Sequence, residues 1–403
     1  MARKSVRELL PLGLMLLALL AFVGIHVRYL RVRAAENSLA SFIRHLGRSE
    51  FSQAQGEIEK AVNISPQNAH YLANQALLHE RALQSEFDFD RWRNPELDAE
   101  QRRHVEEALR HYQQVLELNP SDDFVYHNLG WLYWLLRDKQ QAAECLRKAL
   151  SIDYSVPLYH VSNGLLHEYN DDLPGATAEY ALALQMSPGL LDSRFFAELR
   201  QRAPEASRQI VADSIARLEE QLGGADSPML KAKLGKLYLP EQPDKARPLL
   251  EAAAVQLPNL YRSWFNLGYA YELQGDEQQM ERCYQKSSYI NRLEALPHFR
   301  LGAYYDRQGR PNDAIRYYRL ALNARSGQTS AHSTRVRRIY LSNYTVRDDI
   351  IPRGLFMYLS PDFDLLWTYS RLSELYRQTG DTQSAEQYRQ RAEELTRRSA
   401  VKP

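Results

Sequence analysis

The chain repeats one residue pattern between Tyr261 and Ser326, with Gly268 and Gly302 standing 34 positions apart. Leu267 and Tyr271 are four residues apart and share one helix face, and a glycine between them lets a second helix come close. We expect Ala314 to lie opposite Gly302, with Tyr318 beside it. The repeated residues are, in order, Trp264, Leu267, Gly268, Tyr271, Met280 and Tyr284, then His298, Leu301, Gly302, Tyr305, Ala314 and Tyr318.

This pattern resembles the tetratricopeptide repeat (TPR), a helix-turn-helix unit of that period. A single helical hairpin cannot bury its apolar face alone, so copies stack on one another. The resemblance implies an all-α fold, a TPR-type right-handed superhelix of helix-turn-helix repeats. We predict a front TPR block at 35–222 with an insertion at 85–101, and a rear TPR block at 228–326. An insertion at 327–364 and a C-terminal TPR with a polar cap at 366–399 follow.

The N-terminus carries a long apolar run. Residues 1–8 are a basic tail, and residues 9–27 are apolar except for His26. A helix of that length spans about 28 Å, close to the hydrocarbon thickness of a bilayer. We therefore predict a transmembrane helix at 9–27, with a cleaved signal peptide and a buried helix as the alternatives.

The predicted localisation is a single-pass membrane protein. Three basic residues precede the apolar run and three follow it, so the distribution of charge does not decide the orientation. The resemblance to signal-anchors favours repeats on the periplasmic or extracytoplasmic side.

Charge and motifs narrow the function classes. Residues 1–33 carry a net charge of +5, so the total of +1 leaves −4 for the rest of the chain. A mildly acidic body lacks the basic footprint of a nucleic-acid-binding protein. The sequence contains no phosphate-binding loop, nucleophile elbow or Cys/His metal spacing. We therefore expect no enzyme activity, catalytic residue, metal site, cofactor, nucleic acid or small-molecule substrate.

The resemblance also implies a binding surface. In TPR proteins the first helices line a concave groove, which here would receive a peptide or helix of a protein partner. Trp131 and Trp134 are its most distinctive candidates, because large aromatic residues often anchor a bound segment. The alternative is that neighbouring helices bury both as core. The predicted protein-binding groove comprises Phe124, His127, Trp131, Trp134, Glu168, Arg262, Phe265, Tyr269 and Phe299.

We interpret the chain as a membrane-anchored scaffold for protein–protein interaction. It looks like envelope TPR proteins that accompany secretion, pilus or surface-polysaccharide machinery. Two alternatives stay open: a non-catalytic accessory subunit of a membrane glycosyltransferase or ligase, and a soluble exported TPR protein. The insertions are either surface loops or partner contacts.

Overall fold

The computed structural model describes residues 2–47, 50–83, 95–329 and 363–400, with the side chains of 2–18, 47, 325–329 and 398–400 outside that description. Within these residues the regular elements are helices, and none is a β-strand. The all-α prediction is therefore confirmed. The described residues fall into two compact units, the first ending at Ile152 and the second beginning at Asp153.

Six helices make up the described part of the first unit. They are α1 (Ala2–Gly47), α2 (Phe51–Ile64), α3 (Ala69–Ala82), α4 (Ala99–Leu118), α5 (Asp123–Leu135) and α6 (Lys139–Ile152). They pair as hairpins, α1 with α2, α3 with α4 and α5 with α6. The core of the first hairpin is small and apolar, with Ala35, Leu39 and Phe42 of α1 buried against Ala54 and Ile58 of α2.

The second unit is also built mainly of helical hairpins. Its α-helices are α7 (Pro157–Tyr169), α8 (Leu173–Met186), α9 (Arg194–Arg202), α10 (Pro204–Gly224), α11 (Pro228–Tyr238), α12 (Pro243–Gln256), α13 (Tyr261–Gln274), α14 (Glu277–Ile290), α15 (Ala295–Arg307), α16 (Pro311–Thr329), α17 (Leu365–Gln378) and α18 (Thr382–Ala400). A short 3-10 helix, Pro188–Asp192, precedes α9. The pairs α7–α8, α11–α12, α13–α14, α15–α16 and α17–α18 form hairpins.

The repeat glycines mark the closest approach within a hairpin. A Cβ on Gly302 would lie 2.7 Å from Cδ1 of Tyr318, and one on Gly268 would lie 2.7 Å from Cδ1 of Tyr284. The tyrosine ring itself therefore fills the notch, whereas we expected Ala314 opposite Gly302 with the ring beside it. The reason is that the ring of Tyr318 is fully buried between the two helices.

Five of the turns between paired helices share one backbone geometry. Gly275, Gly309 and Gly380 all adopt a left-handed conformation four residues after the repeat tyrosine. Arg137 and Asp171 hold the same conformation at the equivalent place, without the glycine. An aspartate directly precedes the helix after four of these turns, as with Asp276, whose side chain accepts from the backbone N–H of Gln279 at 3.1 Å. The fifth of these helices, α16, begins at Pro311.

The predicted insertions lie largely outside the described residues. Helix α4 already begins at Ala99, inside the predicted insertion 85–101, because Asp98 and Gln101 form a capping box there. The structure describes only 327–329 and 363–364 of the second insertion, 327–364. The front and rear blocks, and the functions considered for the insertions, stay predictions.

The predicted membrane anchor is not supported, and the single-pass membrane localisation that depended on it is wrong. Among the helices that the structure describes, none is both long enough and apolar enough to cross a membrane. The run 9–27 is not a separate element. It opens α1, which continues through Arg28, Arg31 and Arg33 and ends as the first helix of a hairpin.

Candidate partner-binding surface

The predicted groove residues of the first unit are buried. Phe124, His127, Trp131 and Trp134 all lie on α5, and each is at most 5% exposed. The indole N–H of Trp131 donates to Nε2 of His127 at 3.0 Å, and the two tryptophan rings are 6.3 Å apart. In this conformation the four side chains belong to the interior of the unit, and binding of a partner by them stays a prediction.

Burial and a hydrogen bond from Trp131 keep the imidazole of His127 neutral. Desolvation lowers the pKa of His127 to about 3. Its Nε2 accepts a hydrogen bond from Trp131, so this nitrogen carries no proton. The pair therefore fixes the tautomer of a fully buried imidazole.

In the second unit, Glu168 is engaged within the protein. Its carboxylate accepts two hydrogen bonds from Arg202 of α9, each 2.8 Å long, and the Glu168 side chain is only 6% exposed. Such a two-point pair fixes the geometry of both side chains. Glu168 thus connects α7 to α9.

The other predicted groove residues come together on the first helices α13 and α15. Phe265 is buried, Tyr269 and Phe299 are half-buried, and all three border the same apolar cluster of the unit. Arg262 is exposed and donates from Nε to the hydroxyl of Tyr261 at 2.9 Å. The structure thus keeps an accessible aromatic and basic surface here.

Two cations lie close to the ring of Tyr269. The guanidinium of Arg300 sits 4.8 Å from the ring centroid of Tyr269, and the ammonium of Lys236 sits 5.8 Å from it. Lys236 is buried and pairs with Asp192 at 2.7 Å. Arg300 keeps about a third of its side chain exposed. Cations over an aromatic face are attracted by its quadrupole, so this arrangement holds Arg300 in place at the surface.

The carboxylate of Glu272 also lies near Arg300. Glu272 lies 3.6 Å from both Arg300 and Arg307, and it accepts a hydrogen bond from the Tyr284 hydroxyl at 2.6 Å. Burial, followed by the Glu272 charge, raises the pKa of Tyr284 well above its ordinary value, so Tyr284 remains a donor. Both arginines retain free donor capacity, since a guanidinium carries five N–H groups.

An exposed aromatic side chain packs against Phe299. Trp367 of α17 is 43% exposed and packs edge-on against Phe299 at 5.9 Å, while the neighbouring Leu366 is 41% exposed. Phe299 also stacks on Phe363 at 4.9 Å. We call the residues Arg262, Tyr269, Phe299, Arg300 and Trp367 the first-helix surface.

The groove prediction omitted Lys236, Arg300 and Trp367. Lys236 directly follows Gly235, as Tyr269 follows Gly268. Ser373 occupies the glycine position of the last repeat, and Trp367 precedes it by six residues, as Arg262 precedes Gly268. The sequence could have identified Lys236 and Trp367. The groove-facing repeat positions had only to be assigned also in the repeats that begin near residues 228 and 366. Arg300 stands one residue after an inward position, so only the structure reveals its contact with Tyr269.

Within the described residues, the one group of His and acidic side chains close enough to hold a metal ion belongs to the first unit, and it consists of His79, Glu107 and His111. Cys145 and Cys283 are both free and buried. Desolvation raises the pKa of Cys145 to about 11, so this thiol is unreactive at neutral pH.

Comparison with known proteins identifies the repeats. Residues 125–155, 261–292 and 297–327 match the sequence model of the tetratricopeptide repeat, so the chain contains TPR repeats. This confirms the repeat prediction, including the pair from which it started. A search of curated proteins gives no match.

Several solved structures are similar over long stretches. A human IFIT1 dimer with m7Gppp-AAAA is 16% identical, covers 90% of each chain and has a TM-score of 0.36. Pseudomonas aeruginosa pilF is 16% identical over 69% of this chain and 94% of its own, with a TM-score of 0.34. YrrB, described as a TPR protein with an unusual peptide-binding site, is 16% identical over 56% of this chain and 97% of its own, with a TM-score of 0.24. Scores this low do not support any inference about partners.

Proposed function

We propose that the chain is a scaffold for protein–protein interaction that binds a partner segment on its first-helix surface. The observation that carries this proposal is the partly exposed Arg300, held over Tyr269, while its chain neighbour Phe299 packs against the exposed Trp367. Aromatic residues and arginine are the residue types that dominate binding energy in protein interfaces. TPR repeats support the general class of function.

The chemistry of the surface favours a particular kind of segment. Arg262 and Arg300 offer charge-assisted hydrogen bonds to a carboxylate, while Trp367 and Leu366 offer apolar area. An acidic side chain near a bulky apolar one would satisfy both. We therefore propose a peptide or helix that combines an acidic residue with an apolar anchor. Without the membrane anchor, nothing in the described part of the chain favours an envelope assembly as the source of that segment.

Selection from a peptide-display library against the full chain tests the proposal. The selected peptides should be enriched in acidic and large apolar residues. Their affinity, measured by fluorescence anisotropy, should fall at least about tenfold in Arg300→Ala and in Trp367→Ala, a loss of about 1.4 kcal/mol. The folded state of each variant is checked by circular dichroism.

Tyr289→Ala provides the matched control. Tyr289 lies on the second helix α14 and is 71% exposed, so it is a surface aromatic outside the first-helix surface. Peptides that bind all variants equally, or that lose affinity only in Tyr289→Ala, would overturn the proposed site. An RNA oligonucleotide serves as the specificity probe. That the chain binds no nucleic acid stays a prediction, and binding of the RNA oligonucleotide would contradict it.

A further inference from the structure

Three histidines and a glutamate gather between α3 and α4. His79 comes from α3, while His104, Glu107 and His111 follow one another at intervals of three and four residues along α4. That spacing places the α4 side chains on one helix face. The two helices form a hairpin whose connection runs over residues 83–98, whereas α15 and α16 are joined by residues 308–310 alone. The connection within this hairpin is therefore much longer than the one between α15 and α16.

The donor atoms lie within the reach of a single ion. The donor atoms of His79, Glu107 and His111 are all within 4.8 Å of one another, and Nδ1 of His104 lies 3.1 Å from Nδ1 of His79. Ligands of a tetrahedral zinc ion stand about 2.0–2.1 Å from the metal and hence about 3.3 Å apart. The donor atoms of His79, Glu107 and His111 therefore need to approach one another by about 1.5 Å at most. His104 shares a hydrogen bond with His79 and is a neighbour of the site.

The polar contacts around the cluster orient its donors. Nδ1 of His111 lies 3.3 Å from the amide oxygen Oε1 of Gln114, which makes Nδ1 the donor and leaves the Nε2 lone pair facing Glu107, 4.0 Å away. This is the outer-shell arrangement that fixes the tautomer of a metal-binding histidine. Glu107 also accepts from Nε of Arg110 at 3.1 Å on Oε2, so an ion would take Oε1 or share the carboxylate.

The protonation states suit coordination. Burial lowers the pKa of His79 to about 4, and it also lowers the pKa values of His104 and His111. A hydrogen bond from Arg110 lowers the pKa of Glu107. Neutral imidazole and an ionised carboxylate are the forms that bind metal, so no proton has to leave at neutral pH. His111 is buried, whereas a third of the Glu107 side chain is exposed and offers an entry path.

We infer that His79, Glu107 and His111 form a binding site for a first-row transition-metal ion, with the fourth coordination position open to water. Imidazole and carboxylate ligands in a four-coordinate set fit Zn²⁺ best. Two ligand-bearing helices joined by a long connection give the ion a structural task. It holds α3 against α4 where the other repeats use a short turn.

Titration of the metal-stripped full chain with Zn²⁺ in a calorimeter tests the site. The wild-type chain should bind one ion per chain and melt at a higher temperature when loaded. Glu107→Gln and His111→Gln should each weaken binding at least about tenfold, the lower bound for losing even an outer-shell partner. Co²⁺ should give the visible absorption bands of a four-coordinate ion in the wild-type chain and not in these variants.

His70→Gln is the control, because His70 is an exposed histidine on α3 away from the cluster. It should bind Zn²⁺ as the wild-type chain does. Glu107→Gln keeps the experiment decisive if the buried His111 variant does not fold. Binding of similar affinity in the wild type, Glu107→Gln and His111→Gln would overturn the site, and so would the lack of a stoichiometric ion in the wild type. The outcome does not depend on the peptide experiment above.

Discussion

Gly302 and Gly56 are helix glycines that should respond to alanine in opposite ways. A Cβ on Gly302 would lie 2.7 Å from the fully buried ring of Tyr318, whereas a Cβ on Gly56 of α2 meets no atom within 4 Å. We expect Gly302→Ala to lower the free energy of unfolding by about 1–3 kcal/mol, since overpacking forces the ring to shift. Gly56→Ala should raise it by up to about 1 kcal/mol through helix propensity.

Urea denaturation followed by circular dichroism measures both changes on the same chain. Gly56→Ala controls for the effect of alanine on a helix in general. An unchanged or more stable Gly302→Ala would mean that the hairpin can open at no cost. The notch would then not define the packing of the repeat.

At the scale of the helix, Trp131 and Trp134 of α5 show that the position of a residue in the repeat does not determine whether its side chain is exposed. Their positions in the repeat predict an inward-facing surface, yet the side chains are only 4% and 3% exposed. Frame position gives the direction of a side chain, whereas burial depends on what packs over it. The sequence alone therefore left core and groove as alternatives.

Trp131→Ala should consequently act on stability. Removing a buried tryptophan leaves a cavity and takes away the indole N–H that donates to His127, at a cost of about 3–5 kcal/mol in the free energy of unfolding. Trp367→Ala removes an indole that is 43% exposed and should cost well under half as much. Thermal melts of the two variants make the comparison. Equal melting temperatures for Trp131→Ala and the wild type would restore Trp131 as a candidate partner contact.

The sequence was sufficient to predict which segments form the repeat helices, but not what packs against each helix. The spacing from Gly268 to Gly302 was sufficient for the hairpins, because each repeat copies the same local packing. The apolar run 9–27 gave a wrong prediction, since a local window cannot show that α1 continues to Gly47 and ends in a repeat core. The sequence did not suggest the proposed metal site, because His79 lies on a different helix from its proposed partners and spacing rules apply within one helix.

At the scale of the whole chain, buried histidines should make stability depend on pH. His127 is fully buried, and desolvation lowers its pKa to about 3 from an ordinary value of 6.5. Below pH 6.5 the His127 side chain is protonated in the unfolded chain but stays neutral in the folded chain, so acid favours unfolding. The stabilisation from neutral His127 is complete above pH 6.5 and declines as the pH falls toward 3.

The decline should amount to about 1.4 kcal/mol per pH unit from this residue. Urea denaturation at pH 7.5, 6.5, 5.5 and 4.5 gives the slope for the wild-type chain and for His127→Gln. Glutamine does not titrate, so the variant should be less stable at pH 7.5 but should show a slope smaller by one proton below pH 6.5. Other buried histidines, such as His298, whose pKa burial also lowers, contribute equally to both chains and cancel in the difference. Parallel slopes would show that His127 gains access to water before the chain unfolds, in which case α5 would open locally and expose the tryptophan pair.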